Sequence, residues 1–548
     1  LPFFPPWLAR VARFTVLVLV GFLLLWAAAW KGWFLRSDRQ YLPRNPDPRR
    51  IAVPAGYRAE VLAWGLNAPS ALEVAPDGSI YIGESGYGGA YAATAGVEGA
   101  TPGRILRLNQ DGTLTVVAGN FLPPLGGFVH DAKGDLFVSH NGVVTAITPQ
   151  GRRDIVTGLP SLGDHKNNNI ALGPDGQLYL AQGTVTNSGI VGLDNWVLWG
   201  RFFPGPRDIP CQDVTLRGVN RTTADPRSIL PFMRVATGAY SPFGHTTKAG
   251  QVVRGQVPCN GSILRFGPDG SGMDLVAWGL RNPFDLRFSK SGDLYVTDQG
   301  PDTRGSRPFQ GPDLLYRIRS RAWYGWPDYW NGQPVSTLNT AGRERPQMLL
   351  ARVPGQPEPA FAALGQHVAA VGFDFAPASF GFEGQLFIAQ WGTAFPATTQ
   401  YPDLVGFNIA RFDAATRRKE IFATNVKPGP ASLSPDRGGF ERPVAVRFGS
   451  DGAMYILDWG HLSVTRKGPY HVPDSGVLWR ISRTDHTALP SYASAAARPP
   501  LQRSPASIGQ NGAERSWDPR PAVAMAAVAA AGWLLWRGRR EADRDAPR

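Results

Sequence analysis

The sequence predicts an all-β protein: a ring of six multi-stranded blades, interrupted by two long loop insertions. Three observations predict it. Gly 64 and Pro 49 together make about a fifth of the 548 residues, well above their usual share of roughly 12%, so the chain reverses often. Aromatics at 11% and apolar residues at 43% supply surface for a core and exclude a disordered chain. The third observation is a recurring pattern: an Asp-Gly turn or variant, one residue, then an apolar residue, an aromatic and another apolar residue.

The pattern occurs six times, as PDGSIYIGESG (76–86), AKGDLFVSHNG (132–142), PDGQLYLAQG (174–183), KSGDLYVTDQG (290–300), FEGQLFIAQWG (382–392) and SDGAMYILDWG (450–460). Its aromatics are Tyr81, Phe137, Tyr179, Tyr295, Phe387 and Tyr455. An Asp-Gly turn followed by alternating apolar residues is a hairpin leading into a buried strand. Further strands follow in GRILRLNQDGTLTVVA, GVVTAITPQGRRDIV, GSILRFGPDGSGMDLVA and GVLWRISRTD. A unit of roughly 40–50 residues with several strands is a propeller blade, and six copies give a six-bladed β-propeller. Uneven spacing between copies places insertions at 184–260 and 301–365. A helical bundle is excluded.

The ends read differently. Residues 1–50 carry +6 of the net charge of +13 and residues 491–548 carry +4, which leaves +3 for everything between. The basic residues flank two apolar runs, as membrane anchors are flanked. No basic and aromatic stripe is interleaved for nucleic acid, so no nucleic-acid partner is expected. Phe14 to Trp30 meets the short end of a spanning helix; a cleaved signal peptide, with Ala27–Ala29 at the cleavage site, is the alternative. Pro521 to Trp536 is a second candidate, short for a span and also suited to a surface helix. The expected organisation is therefore an anchor or signal with linker over 1–45, the propeller over 46–485, a flexible linker over 486–520, and the second apolar run with a basic tail over 521–548. Two spans would place the propeller outside the cytoplasm, on the periplasmic or external face. Cys211 and Cys259 are the only cysteines. Whether they pair is left open, because spacing alone does not give their distance.

No dinucleotide-binding Gly-rich turn, phosphate loop, His-Glu-x-x-His or EF-hand occurs. The polar residues beside the repeat turns remain. Asp164-His165 and Asn167-Asn168-Asn169 stand just before the third repeat strand. A histidine there suits a general base, since its pKa lies near neutrality; a plain surface-loop histidine has the same spacing. Arg281-Asn282 and Gln299-Gly300-Pro301 bracket the fourth copy, where carbonyls beside Asp298 could face a hard cation or simply form a tight turn. His130 and His140 read as turn or packing residues, and Trp323, Tyr324 and Trp326 as blade packing rather than a stacking platform. Arg304 and Arg307 read as solvated arginines of an insertion, or as a rim to the site.

Together these segments resemble the glucose/sorbosone dehydrogenase family, six-bladed propellers that use pyrroloquinoline quinone (PQQ), and most of all its sorbosone-dehydrogenase-like branch. The resemblance runs from about Gly56 to Ser482. It is carried by the His165 motif through Pro174-Asp175-Gly176, Gly-Leu-Arg-Asn-Pro at 279–283, Gln-Gly-Pro at 299–301, Tyr-Gly-Trp-Pro at 324–327 and Gln-His-Val-Ala-Ala-Val-Gly-Phe at 366–373. It implies His165 as catalytic base and Arg281 as the cation that stabilises charge on the quinone oxygen. It further implies Asn282, Gln299, His367 and Arg442 at the cofactor, and the carbonyls of Gly300 and Pro301 on Ca²⁺. The chain departs from the family pattern at Asp313-Leu314-Leu315, where one carboxylate is missing. It departs again near Ala389-Gln390-Trp391, where no lysine matches, and at Ala445.

The expected function is a quinoprotein sugar or aldehyde dehydrogenase with PQQ and Ca²⁺. It would be held at the membrane by a terminal helix and would deliver electrons to a separate quinone or cytochrome. Two alternatives stand beside it: a metal-dependent lactonase-type hydrolase, and a non-catalytic propeller that binds carbohydrate or protein. Convergence of His165, Arg281 and the Gly300-Pro301 carbonyls on one pocket would separate them.

Overall fold

Each repeat turn closes a hairpin between the first and second strands of a blade. In the computed structural model the described residues are 15–16, 18–21, 44–86, 101–203, 205–230, 232–338, 344–393, 404–465 and 468–485. The Asp77 carboxylate accepts the Ser79 backbone N–H at 2.8 Å, Asp175 that of Gln177 at 3.1 Å, and Asp451 that of Ala453 at 3.1 Å. Gly78, Gly176 and Gly452 sit between these pairs at φ of +81°, +73° and +72°, a region glycine enters without steric cost. The side-chain bond and the left-handed residue together reverse the chain.

Six blades result. Blade I comprises Pro69–Val74, Ile80–Glu84, Gly103–Leu108 and Leu114–Phe121; blade II comprises Leu125–His130, Leu136–His140, Val143–Thr148 and Gly151–Val156. Blade III comprises Asn167–Leu172, Leu178–Gln182, Ser262–Phe266 and Asp274–Trp278; blade IV comprises Pro283–Phe288, Leu294–Asp298, Asp313–Arg317 and Ala362–Gly365. Blade V comprises Ala370–Phe375, Leu386–Gln390, Asn408–Asp413 and Arg418–Asn425. Blade VI takes Pro443–Phe448, Met454–Asp458 and Gly476–Arg483 from late in the chain and borrows its outer strand, Tyr57–Leu66, from before blade I. That borrowed strand closes the circle, and the six first strands pack in one ring, each against the next. Ile51–Ala52 adds a further clip on the edge of blade V.

The repeat aromatics hold the ring together. Tyr81 meets His130 at 4.6 Å between ring centroids, Tyr179 meets Phe288 at 5.0 Å, Tyr295 meets Phe375 at 5.5 Å and Phe387 meets Phe448 at 5.4 Å. In each pair the partner is the last residue of the next blade's first strand. Such pairs add about 0.5–1.5 kcal/mol beyond the area they bury. Between them lie six apolar clusters, one per blade interface; Phe137, Ile170 and Leu180, for example, fill the space between blades II and III. His130 Nδ1 also donates to the Glu73 carboxylate, 2.6 Å away, so it is a packing residue, and buried His140 bonds Thr145. Trp323, Tyr324 and Trp326 are core residues as well.

The first expected insertion is found between the second and third strands of blade III, where it forms the hairpins Val214–Arg217 with Ala249–Val253 and Asn220–Ala224 with Arg234–Gly238. A Cys211–Cys259 disulfide ties its base. The second expected insertion needs correction. Asp313–Arg317, inside it, is the third strand of blade IV, so the irregular chain is split into two loops around that strand. No repeat turn announces it; pairing on both sides and complete burial of Leu314, Leu315 and Tyr316 make it a strand. Among the described residues no helix is long and apolar enough to cross a membrane. Most of the Phe14–Trp30 run, and all of Pro521–Trp536, lie outside the described residues.

Candidate active site

The blades share one register at their entrances. The first residue of each first strand, namely Pro69, Leu125, Asn167, Pro283, Ala370 and Pro443, pairs with the last residue of its second strand: Glu84, His140, Gln182, Asp298, Gln390 and Asp458. The residues just upstream of the first strands therefore gather at one mouth of the channel. His165 precedes Asn167 by two, Arg281 precedes Pro283 by two, and Asn282 and Arg442 each stand immediately before a proline. Gln299-Gly300-Pro301 leaves the second strand of blade IV at the same end.

His165 and Asn282 close around Gly183. A Cβ on that glycine would lie 2.5 Å from the His165 Cβ and 3.0 Å from the Asn282 Oδ1, so the close approach requires glycine. His165 Nδ1 donates to the Thr184 carbonyl at 3.0 Å, with the Thr184 hydroxyl 3.1 Å away; that hydroxyl donates in turn to the Thr186 carbonyl at 2.8 Å. The ring hydrogen thus belongs on Nδ1, and Nε2, which has no hydrogen bond to a described residue, presents a lone pair. Burial first, and then the Arg281 charge, hold His165 well below its ordinary pKa. The imidazole is neutral at neutral pH.

Arg281, 3% exposed, is surrounded by neutral acceptors. Its Nε donates to the Asn187 carbonyl at 3.0 Å, one terminal nitrogen to the Gln299 carbonyl at 3.0 Å and the other to Asn187 Oδ1. No carboxylate lies within ion-pair distance of its guanidinium among the described residues, and burial lowers its pKa. The nearby Asp298 is spent on backbone: it accepts the N–H of Arg281 at 3.1 Å and of Asn282 at 2.6 Å, and burial pushes it up to about 7. The guanidinium thus has no direct ion pair among the described residues, and the charges of Asp302, Asp298 and Asp164 act on it only from farther away, in buried surroundings where such fields are strongest.

Asn282 donates to Gln299 Oε1 at 2.6 Å and accepts from Asn168 at 2.8 Å, so one amide hydrogen remains for a ligand. The Gly300 N–H donates to Asp313 at 2.7 Å, which also receives the Ala370 N–H at 2.7 Å, and burial raises Asp313 to about 6. The Pro301 carbonyl accepts from Gly311 N–H at a long 3.3 Å, and the Gly300 carbonyl has no donor among the described residues. His367, at φ +57°, is lowered in pKa chiefly by burial and senses the charges of Asp302 and Arg281, which puts it at this mouth. Arg442 sits across from these groups with blades V and VI. Its guanidinium stands 4.1 Å over the Trp391 ring, faces the carbonyls of Trp391, Gly392 and Thr393 at 3.3–3.4 Å, and is lowered to about 10 by burial. No hydrogen bond or ion pair among the described residues joins it to His165 or Arg281.

Sequence reasoning missed the groups that hold these residues still. Asn187 grips Arg281 with its carbonyl and its Oδ1 and donates to the carbonyls of Asp302 at 2.9 Å and Arg304 at 3.0 Å. It belongs to no motif and reaches across 94 residues of sequence. Arg304 is not a solvated arginine: it pairs with Asp164 at 2.7 Å and Asp302 at 3.1 Å. Asp164 also accepts from Asn195 and Trp199, each at 3.0 Å, so the residue before His165 is pinned on three sides. Arg307 is not a rim residue either, being fully buried against Asp328 at 2.7 Å. Among the described residues no three His, Cys, Asp or Glu side chains come together to hold a metal ion. A site at Gly300 and Pro301 would be of another kind, built on main-chain carbonyls.

No family model matches the chain. Quinoprotein glucose dehydrogenase B of Acinetobacter calcoaceticus is 22% identical over 323 residues, 52% of this chain and 56% of that protein. The chain thus aligns with just over half the length of this curated relative. Similar solved structures include the holo form of the pyranose dehydrogenase PQQ domain of Coprinopsis cinerea, at 15% identity and TM-score 0.48, covering 80% of this chain and 98% of that one. The PQQ-bound aldose sugar dehydrogenase of Streptomyces coelicolor is 16% identical with TM-score 0.42, covering 79% and 100%. A calcium structure of a Trichoderma reesei carbohydrate-active enzyme of family AA12 is 15% identical with TM-score 0.47, covering 80% and 98%. The blade count rests on the strand pairing of this chain itself.

Proposed function

The chain is a distant relative of the glucose/sorbosone dehydrogenase-like six-bladed propellers, and on that premise we propose that it is a PQQ-dependent dehydrogenase. Its substrate would be an aldose, a sorbosone-like aldehyde or a related polyol, oxidised outside the cytoplasm, with electrons leaving to a separate quinone or cytochrome. One observation carries the reading. A neutral histidine with an uncommitted Nε2 stands beside a buried guanidinium that forms no direct ion pair among the described residues.

The residues present fit the cofactor. PQQ is a quinone bearing carboxylates, and Arg281 and Arg442 are both buried cations without an ion-pair partner among the described residues. Arg442 Nε has no hydrogen-bond partner among the described residues, so an anionic ligand would relieve an existing deficit. Asn282 has an amide hydrogen to offer, and the carbonyls of Gly300 and Pro301 would hold Ca²⁺. When bound, the quinone supplies the hydride acceptor and Ca²⁺ polarises it.

The protein's own part is proton transfer and electrostatics. His165 Nε2 takes the hydroxyl proton of the substrate carbon being oxidised, because Thr184 fixes the tautomer that leaves that nitrogen bare. The low pKa keeps the base available well below pH 6.5. Arg281, aimed by Asn187 and Gln299, opposes negative charge developing in the pocket without any reorganisation.

The test is a titration of the purified chain with PQQ and Ca²⁺, followed by calorimetry, beside dye reduction with a panel of aldoses. Saturable binding that Arg281→Ala weakens, with turnover lowered about 10²–10⁴-fold in His165→Ala, is expected. No binding at high micromolar cofactor would overturn the reading and favour a propeller that only binds carbohydrate or protein.

A further inference from the structure

The hairpin Asn220–Ala224 with Arg234–Gly238, in the blade III insertion, ends in a turn that carries four exposed apolar side chains. Ile229 is 83% exposed and Phe232 71%, the two highest values for large apolar side chains among the described residues, and Leu230 and Met233 are 46% and 44% exposed. The turn is ordered by its own bonds: Ser228 N–H donates to the Asp225 carbonyl at 3.1 Å, Met233 N–H to that of Leu230 at 3.1 Å, and Leu230 N–H to Ser228 Oγ at 3.1 Å. Four exposed apolar side chains are therefore carried on this one turn. Leu198 and Phe202, elsewhere in the insertion, are also exposed.

The insertion that carries this tip has a surplus of positive charge. Residues 184–260 hold eight Lys and Arg against four Asp, and every one of the four is engaged. Asp208 is buried on Val185 and Thr186, Asp213 pairs with Arg254, Asp225 with Arg227, and Asp194 lies 3.7 Å from Arg304. Arg201, Arg207, Arg234 and Lys248 are exposed and form no ion pair among the described residues. The surplus is entirely positive.

We propose that Ile229, Leu230, Phe232 and Met233 dock into the interfacial region of an anionic lipid bilayer, with Arg201, Arg207, Arg234 and Lys248 meeting the headgroups. An apolar tip can sink about 5–10 Å into the boundary between headgroups and acyl chains, and basic residues nearby gain from a negative leaflet. A soluble protein rarely leaves such side chains uncovered without a partner. The docking stands apart from the redox reading and survives its failure. It does bear on the site, because the same insertion begins with Thr184 and Asn187, the residues that hold His165 and Arg281.

Both natural cysteines are paired, so Ile229→Cys in the full chain carries the only free thiol for an environment-sensitive fluorophore. Ser271→Cys, on an exposed turn between the outer strands of blade III, is the control. With phosphatidylcholine vesicles containing phosphatidylglycerol, the tip label should brighten roughly twofold or more, consistent with burial at the interface, and should be quenched by an acyl-chain quencher. The control label should do neither. Combined Arg201→Glu, Arg207→Glu and Arg234→Glu should remove the response. A tip label that stays solvent-like overturns the proposal. So does a tip and a control that change together, as attachment through Phe14–Trp30 alone would produce, and so does shielding by an acidic protein but not by vesicles.

Discussion

At the end of its second strand blade IV has Asp298 and blade VI has Asp458, and each carboxylate accepts two successive backbone N–H groups of the chain entering the first strand. In blade VI that carboxylate is met by Arg44 at 3.2 Å, both side chains almost fully buried. In blade IV no cation comes within ion-pair distance of it among the described residues, and burial pushes it up to about 7. One clamp is neutralised by a strap from the chain's beginning. The other sits beside Arg281, which acts on it from beyond ion-pair distance. The repeat thus supplies geometry at both places, and the neighbours decide whether that place is a joint or part of the candidate site.

Breaking the joint should have the largest effect. Arg44→Ala leaves Asp458 buried and unpaired, which costs about 3–5 kcal/mol; Asp298→Asn, with no ion pair to lose, should cost less. Chemical denaturation of both variants checks this, and equal losses would erase the distinction. Next comes a split at the mouth. Arg281→Ala should lower kcat about 10²–10³-fold, as removal of a preorganised electrostatic group does, whereas Arg442→Ala should chiefly weaken cofactor binding and leave kcat near normal once the site is saturated. Steady-state kinetics with varied PQQ separates the two.

The smallest effect is a pH slope. The folded pKa of Asp298, about 7, lies above an unfolded value near ~3.9, so between them the folded state holds a proton that the unfolded state has lost. The contribution of this group to stability is therefore greatest below the unfolded pKa, falls as pH rises towards 7, and is flat above it. From pH 5 to pH 8 the wild type should lose on the order of 2 kcal/mol relative to Asp298→Asn, measured as the difference between their unfolding free energies. A constant difference would mean that Asp298 is ionised throughout.

The six turns were legible because their chemistry is local: a left-handed glycine in each, joined in three of them to an Asp side-chain bond, is fixed within three residues. Blade number followed from counting them. The strand Asp313–Arg317 was not legible, since it has no such turn and owes its form to partners on both sides. Nor was Tyr57–Leu66 recognisable as the last strand of blade VI, its partner being at the far end of the sequence. At the site, His165, Arg281 and Asn282 could be singled out because motifs carry them next to repeat strands. Asn187, Thr184 and the Asp164–Arg304 pair could not, because their roles arise only when the insertion folds back over the entrance.

The borrowed strand also orders events in time. Tyr57–Leu66 leaves the ribosome before any blade exists, and Gly476–Arg483, its partner, is made after all the others. Until then the nascent protein carries an unpaired edge on the first of its blade strands, the kind of surface that recruits strands from other molecules. A chain interrupted before Gly476 would keep that edge bare for good. Synthesis of Gly476–Arg483, closure of the circle and cover for that early edge are for this molecule a single event.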